Sequence, residues 1–272
     1  MKKIFELTNR YIVVATPLIL FSLLSGVYAT ISVNGKSVIG MAVAVVILFL
    51  MSVTFVAGWG QMVKSAALDE SPDNPNSIIK NFSFGVGGYF LPVLGLIIIA
   101  GIVTGMFLFL AYKTGMYYIG EIGINMNDFS KALSNQETLK AFLSGLTTSQ
   151  LIKINAWNML ILGVMMISSF LLFLFLPALF ITCKNPFKAL FISIKNIFSK
   201  NFFNTMGIYL LIFGINFLIS IFSTIFASNV IMNFVATLIN FYFICCISIG
   251  VFYYYNKTFV QPQLGSSVDT YI

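Results

Sequence analysis

The sequence predicts an all-α fold: a polytopic membrane protein with six transmembrane helices, two cytosolic interfacial amphipathic helices and a parallel internal repeat. Three observations carry this expectation. Of 272 residues, 59% are hydrophobic and 8% charged, against about 45–50% and about 25% in a soluble domain. So few charges cannot clothe a water-facing surface, and mean hydropathy is +0.97. Six stretches free of Asp, Glu, Lys and Arg also reach the roughly 20 residues that a bilayer core of about 30 Å requires.

The expected spans are 11–32, 38–59, 86–112, 156–182, 205–227 and 230–255. Trp59 and Trp157 fall at span ends, where aromatic belts form. The first span shares features with a signal peptide, including Lys2, Lys3 and the Val27-Tyr28-Ala29 run. Its apolar stretch exceeds the roughly 7–15 residues of a signal h-region, which favours an uncleaved helix. With the N-terminus in the cytoplasm, Lys2, Lys3, Arg10, Lys64, Lys80, Lys184, Lys188, Lys195, Lys200 and Lys257 are inside. Lys36, Lys113, Lys131, Lys140 and Lys153 are outside. That bias puts both termini in the cytoplasm.

Between the fourth and fifth spans, Asn185-Pro186 reads as a helix start. Phe187, Leu190, Phe191, Ile194, Ile197 and Phe198 follow at helical spacing, with Lys188, Lys195, Asn196 and Lys200 largely on the other side. An amphipathic helix in the inner headgroup layer and a re-entrant cap packed on the bundle both fit. In the first reading Lys184, Lys188, Lys195 and Lys200 contact lipid phosphates. Residues 61–84 occupy the equivalent place after the second span. There Ile79-Lys80-Asn81-Phe82 matches Ile194-Lys195-Asn196-Ile197, and Gly88-Tyr89 matches Gly207-Ile208-Tyr209. Each copy is expected as a descending helix, an interfacial helix and a rising helix, a duplication of the kind common in transport folds.

Residues 113–155 form an extracytoplasmic cap loop in this reading, too long for a simple connector. Short helices are expected near Asn127-Asp128 and at Asn135-Gln136-Glu137. Thr147-Thr148-Ser149 is the expected N-cap of an extension into the fourth span. Gly101 and Gly105 give a small-xxx-small pattern for close helix packing, within the bundle or between two copies. Pro17, Pro92 and Pro177 are expected to kink their helices.

The last two spans carry matched polar triplets, Asn216, Ser220 and Thr224 on one and Asn233, Thr237 and Asn240 on the other. Each lies on one helical face. A short turn makes the helices antiparallel, which sets Thr224 against Asn233, Ser220 against Thr237 and Asn216 against Asn240. Hydrocarbon cannot satisfy these groups, so they face protein or water. A structural ladder and a polar path both fit.

Chemistry for catalysis is sparse. With no His in the chain, His metal sites, general bases and proton relays drop out. No intramembrane carboxylate pair, Gly-rich phosphate loop, GxSxG or HExxH occurs, so no catalytic, cofactor or metal site is expected. Cys183, Cys245 and Cys246 read as small hydrophobes. The net charge of +7 is spread among apolar spans, which points to anionic lipid and away from nucleic acid.

The layout, together with the run Cys183-Lys184-Asn185-Pro186-Phe187-Lys188-Ala189-Leu190, resembles the membrane domain of bacterial glycerophosphodiester phosphodiesterases and related six-helix bacterial membrane proteins. The resemblance implies an all-α bundle in a bacterial cytoplasmic membrane with an accessory role, and no catalytic residues, since the hydrolase part is absent. The expected function is a non-enzymatic membrane accessory or membrane-organising protein engaging anionic lipid or a cytosolic partner. The alternative is a permease-like subunit of an exporter for lipids or amphiphilic peptides, with an ATPase partner subunit. A homo-oligomer is compatible with either.

Overall fold

The computed structural model describes residues 2–33, 38–70, 73–124, 132, 135–225 and 229–262. The described elements are helical: α1 (Lys2–Arg10), α2 (Ala15–Val33), α3 (Val38–Ala67), α4 (Lys80–Tyr118), α5 (Gln136–Ser144), α6 (Thr148–Leu172), α7 (Pro186–Ile197), α8 (Phe202–Ile225) and α9 (Val230–Tyr255). Six of the helices are long and apolar enough to cross a membrane. The protein is thus an all-α, multi-pass membrane protein. Two compact units divide the chain, residues 1–99 with 171–272, and residues 100–170.

In the larger unit the buried core gathers at the end that carries α1 and α7. Tyr11, Val63, Phe180, Ile197, Ile249 and Tyr255 are buried there. Toward the other end α2, α3 and α9 expose their apolar residues, with Ile39 at 77% and Leu23 at 61%. Such a surface is untenable in water but costs nothing in hydrocarbon, because the backbone is satisfied within each helix.

Phe180 is the hub of that core. Its ring stacks on Tyr89 at 4.3 Å between centroids and lies 6.1 Å from Phe252. It seats on Gly60 of α3, where an added Cβ would fall 2.5 Å from the ring. The segment that carries it is broken helix. α6 ends at Leu172, a short turn covers Phe175–Pro177, and a π turn covers Ala178–Thr182. Pro177, which lacks a backbone donor, sits at the junction. Pro92, in contrast, lies inside α4, which continues past it.

Three expectations change. First, only one of the two interfacial helices forms as a separate element. α7 does, but Met62–Ala67 continues α3, and Pro75–Ile79 is a 3₁₀ turn that leads straight into α4. Second, an amphipathic helix beyond the predicted elements is present at the N-terminus. α1 runs antiparallel to α9, with Ile4 against Gly250 and Tyr242 donating to Asn9 Oδ1 at 2.7 Å. Third, both tryptophans bind protein carbonyls rather than marking only a belt. Trp59 Nε1 donates to Val14 O at 2.9 Å and Trp157 Nε1 to Gly120 O at 3.1 Å.

The smaller unit contains the C-terminal part of α4, α5 and most of α6. The expected 113–155 loop is partly helical, because α4 continues to Tyr118 and α6 begins at Thr148. Asn135 caps α5 through Glu137 N at 2.6 Å. Thr147 and Gln150 form a reciprocal capping box at the start of α6, with contacts of 2.9 and 3.3 Å. The Trp157 ring lies where a Cβ on Gly115 would be. Gly120 and Gly123 have φ of +74° and +71°, a conformation that requires glycine. Lys153 and Gln150 hold this turn through Glu121 O at 2.7 Å and Gly123 O at 3.0 Å. The helix expected near Asn127-Asp128 lies outside the described residues.

Candidate functional site

The best-defined polar surface is α7 and its anchors. Asn185 Oδ1 accepts from Lys188 N at 3.1 Å and caps the helix, and Pro186 occupies its first turn. Pro186 seats on Gly95 of α4, where a Cβ would fall 2.7 Å from its Cγ. At the other end Asn196 donates to Tyr255 Oη at 3.3 Å, and that hydroxyl also bonds Thr182 at 2.8 Å. The helix is therefore pinned at both ends to the bundle.

Its packed face is small. Ala189, Ser193 and Ile197 are buried. The other face carries Phe187, Phe191 and Phe198, 60–71% exposed, beside the exposed Lys188 and Lys195. Lys200 is exposed just beyond the helix. The expected separation of aromatic and basic sides is thus replaced by one mixed outer face, because small residues are what permit close approach to the bundle. Phenylalanine rings beside lysines suit a membrane interface, where rings enter the apolar layer and ammonium groups reach phosphate. The bundle-cap reading describes the packed side of this helix.

Lys184 differs from the other three. Its ammonium lies 4.7 Å above the Tyr89 ring. Tyr89 Oη in turn donates to Phe180 O at 3.2 Å. The cation therefore braces the start of α7 through a cation–π contact, although it remains exposed.

Two pairs of sequence-matched residues make comparable contacts. Asn81 donates to Ser65 Oγ at 2.9 Å, as Asn196 does to Tyr255. Each matched Asn thus bonds a hydroxyl held by another helix. Tyr89 and Tyr209 each face a Phe, Phe180 and Phe173 respectively.

A second polar cluster, unread in the sequence, fixes α1. Arg10 Nη1 donates to both carboxylate oxygens of Asp69 at 3.1 Å, Tyr11 Oη donates to Oδ1 at 2.7 Å, and Lys3 Nζ lies 3.8 Å away. Asp69 sits at the left-handed C′ position of α3, with φ +55°. Glu70 N to Ser65 O and Asp69 N to Ala66 O complete a Schellman cap. Burial raises the Asp69 pKa, but the Tyr11 and Arg10 hydrogen bonds and the Arg10 and Lys3 charges outweigh it, so the value lies below the ordinary 3.8. A carboxylate with a depressed folded pKa stabilises fully above its unfolded pKa and loses that contribution as pH falls through the folded value. Amide-exchange protection of α1 is therefore expected to stay level from about pH 7 to about pH 5 and to drop below 3.8. Asp69→Asn, which tolerates the backbone conformation, is expected to lower protection at neutral pH and remove the acid step. A variant that retains both overturns the clasp.

The polar triplets on α8 and α9 do not form a hydrogen-bonded ladder among the described residues. Thr224 Oγ1 donates to Ser220 O at 2.9 Å and Thr237 Oγ1 to Asn233 O at 2.8 Å, each within its own helix. Hydroxyls can turn back to the i−4 carbonyl, so hydrocarbon does not force the cross-helix bond. Asn216, Ser220 and Asn233 are exposed and Asn240 half-buried. Gly101 and Gly105 are exposed, and an added Cβ at either meets nothing within 4 Å. Within the smaller unit the close packing expected there is not made among the described residues.

The α8–α9 pair instead encloses an apolar groove of about 610 Å³ toward the α1 end, with Asn204, Tyr253, Tyr254 and Lys257 among its lining. Thr205 Oγ1 and Tyr254 Oη, 2.8 Å apart, tie the helices there. Comparison of the chain with protein-family models, with curated proteins and with solved structures finds no match.

Proposed function

We propose that the protein is an accessory or membrane-organising component of a bacterial cytoplasmic membrane, with both termini inside, that engages anionic lipid through α7. The observation that carries this reading is the outer face of α7. Phe187, Phe191 and Phe198 are exposed beside Lys188 and Lys195 on a helix pinned to the bundle. Apolar rings supply insertion energy and each lysine near an anionic surface adds about 1 kcal/mol, so the face binds a charged lipid layer better than a neutral one. The inner excess of Lys and Arg supports the same orientation. The likeness to the membrane domain of the bacterial phosphodiesterases fits a role of this kind. No reaction is assigned to the chain in this reading.

Extraction in mild detergent followed by analysis of what stays bound tests it. The expected recovery is anionic phospholipid enriched over its share of the membrane. Recovery of lipid in bulk proportion, with no enrichment, counts against the reading.

A further inference from the structure

We propose that the groove between α8 and α9 holds one acyl chain of an anionic phospholipid, with the headgroup phosphate against Lys257. The groove measures about 610 Å³, within the roughly 300–1,000 Å³ of small-molecule sites. Leu211 and Ile215 of α8, Phe243 and Ile247 of α9 and Ile4 of α1 form its apolar walls. Gly207 leaves it open, since a Cβ there would meet nothing within 4 Å, and Gly250 lets Ile4 of α1 close in as a wall.

Length and polarity together select a lipid. From Phe203 to Ile215 the lining advances 12 residues along α8, which at 1.5 Å per residue is roughly 18 Å. Half of a bilayer core is about 15 Å, so the groove matches one leaflet. The polar lining gathers at the end where α8 begins and α9 ends, with the Asn204 amide, the Tyr253 and Tyr254 hydroxyls and the Lys257 ammonium. Lys257 is exposed, lies 5.9 Å from the Tyr253 ring centre, and is the one charged side chain of the lining among the described residues. An apolar slot of leaflet depth with a single cation at its interfacial mouth complements an acyl chain that ends in a phosphate. This site shares no residue with the outer face of α7, so it goes beyond the reading given above.

The test reconstitutes the chain in a bilayer of phosphatidylglycerol and phosphatidylcholine, re-extracts it with delipidation, and counts bound lipid by native mass spectrometry. The unaltered chain is expected to retain one phosphatidylglycerol. Gly207→Leu, which adds a good helix former pointing into open space, is expected to reduce retention roughly tenfold or more, the ratio for two methylenes displaced. Lys257→Gln is expected to keep a lipid but lose the preference for phosphatidylglycerol. The triple Gln variant of Lys188, Lys195 and Lys200 is expected to keep the groove lipid, which separates this site from α7. Equal retention by Gly207→Leu and the unaltered chain overturns the proposal, as does a second copy of the chain bound in place of lipid. An unchanged preference in Lys257→Gln overturns the placement of the phosphate.

Discussion

A chain carrying Gln at positions 188, 195 and 200 is expected to lose most of its preference for anionic lipid. The three lysines are exposed and none is held by an ion pair among the described residues. Each contributes about 1 kcal/mol near an anionic surface, so the upper limit of the change is about 3 kcal/mol, or roughly 150-fold. Glutamine keeps the length and polarity of the face and removes only charge. Spin-labelled phosphatidylglycerol and phosphatidylcholine, compared in bilayers that hold each variant, report the preference directly. The preference of the unaltered chain is expected to weaken with added salt, as exposed charges are screened within about 10 Å at 0.1 M. The phenylalanines remain, so general lipid contact persists while the selectivity due to α7 disappears. Unchanged selectivity at low salt would refute lipid engagement by α7. Lys184 is left in place because its contact with Tyr89 makes its removal a structural change as well.

The second large effect is on stability, at the crossing of α3 and α4. Gly85 lies against backbone. An added Cβ would fall 2.5 Å from Ala57 O and 2.9 Å from Gly58 Cα. Backbone cannot rotate away, so Gly85→Val must push the helices apart. It would also disturb Phe82, which lies so close to Gly58 that a Cβ there would fall 2.6 Å from its ring. Overpacking of this kind costs about 1–3 kcal/mol, read as a fall in melting temperature in detergent. Gly87→Ala, two residues on, is the control. Nothing lies within 4 Å of its Cβ, so stability is expected to hold or rise by up to about 1 kcal/mol. Equal melting temperatures for Gly85→Val and the unaltered chain would mean that the crossing is not made this way.

Both experiments show where the sequence is legible. The lysines of α7 were visible as a basic pattern behind an Asn-Pro start. Their mixture with Phe187 and Phe191 on one face was not, since periodicity says which residues share a side but not which side packs. Gly85 gives no local signal, because its role depends on a backbone oxygen 28 positions earlier. The Asp69 clasp was hidden for the same reason. Arg10 and Asp69 are 59 residues apart, and nothing near either one names the other.

What the sequence alone determined is the solvent and the count of helices that meet it. Long uncharged apolar runs have one stable home, and each satisfies its backbone internally, so the six spans need no partner to be predicted. The local caps at Asn135, Thr147 and Asn185 were legible too, since each cap side chain accepts from a backbone N–H only two or three residues on. Only the tertiary structure decided which surfaces close. It gathered the core at the α1 and α7 end, turned the Thr224 and Thr237 hydroxyls back onto their own helices, and left an apolar groove between α8 and α9. In hydrocarbon the hydrophobic effect does not choose among apolar faces, so shape chooses. Shape depends on glycines and rings brought together from distant parts of the chain.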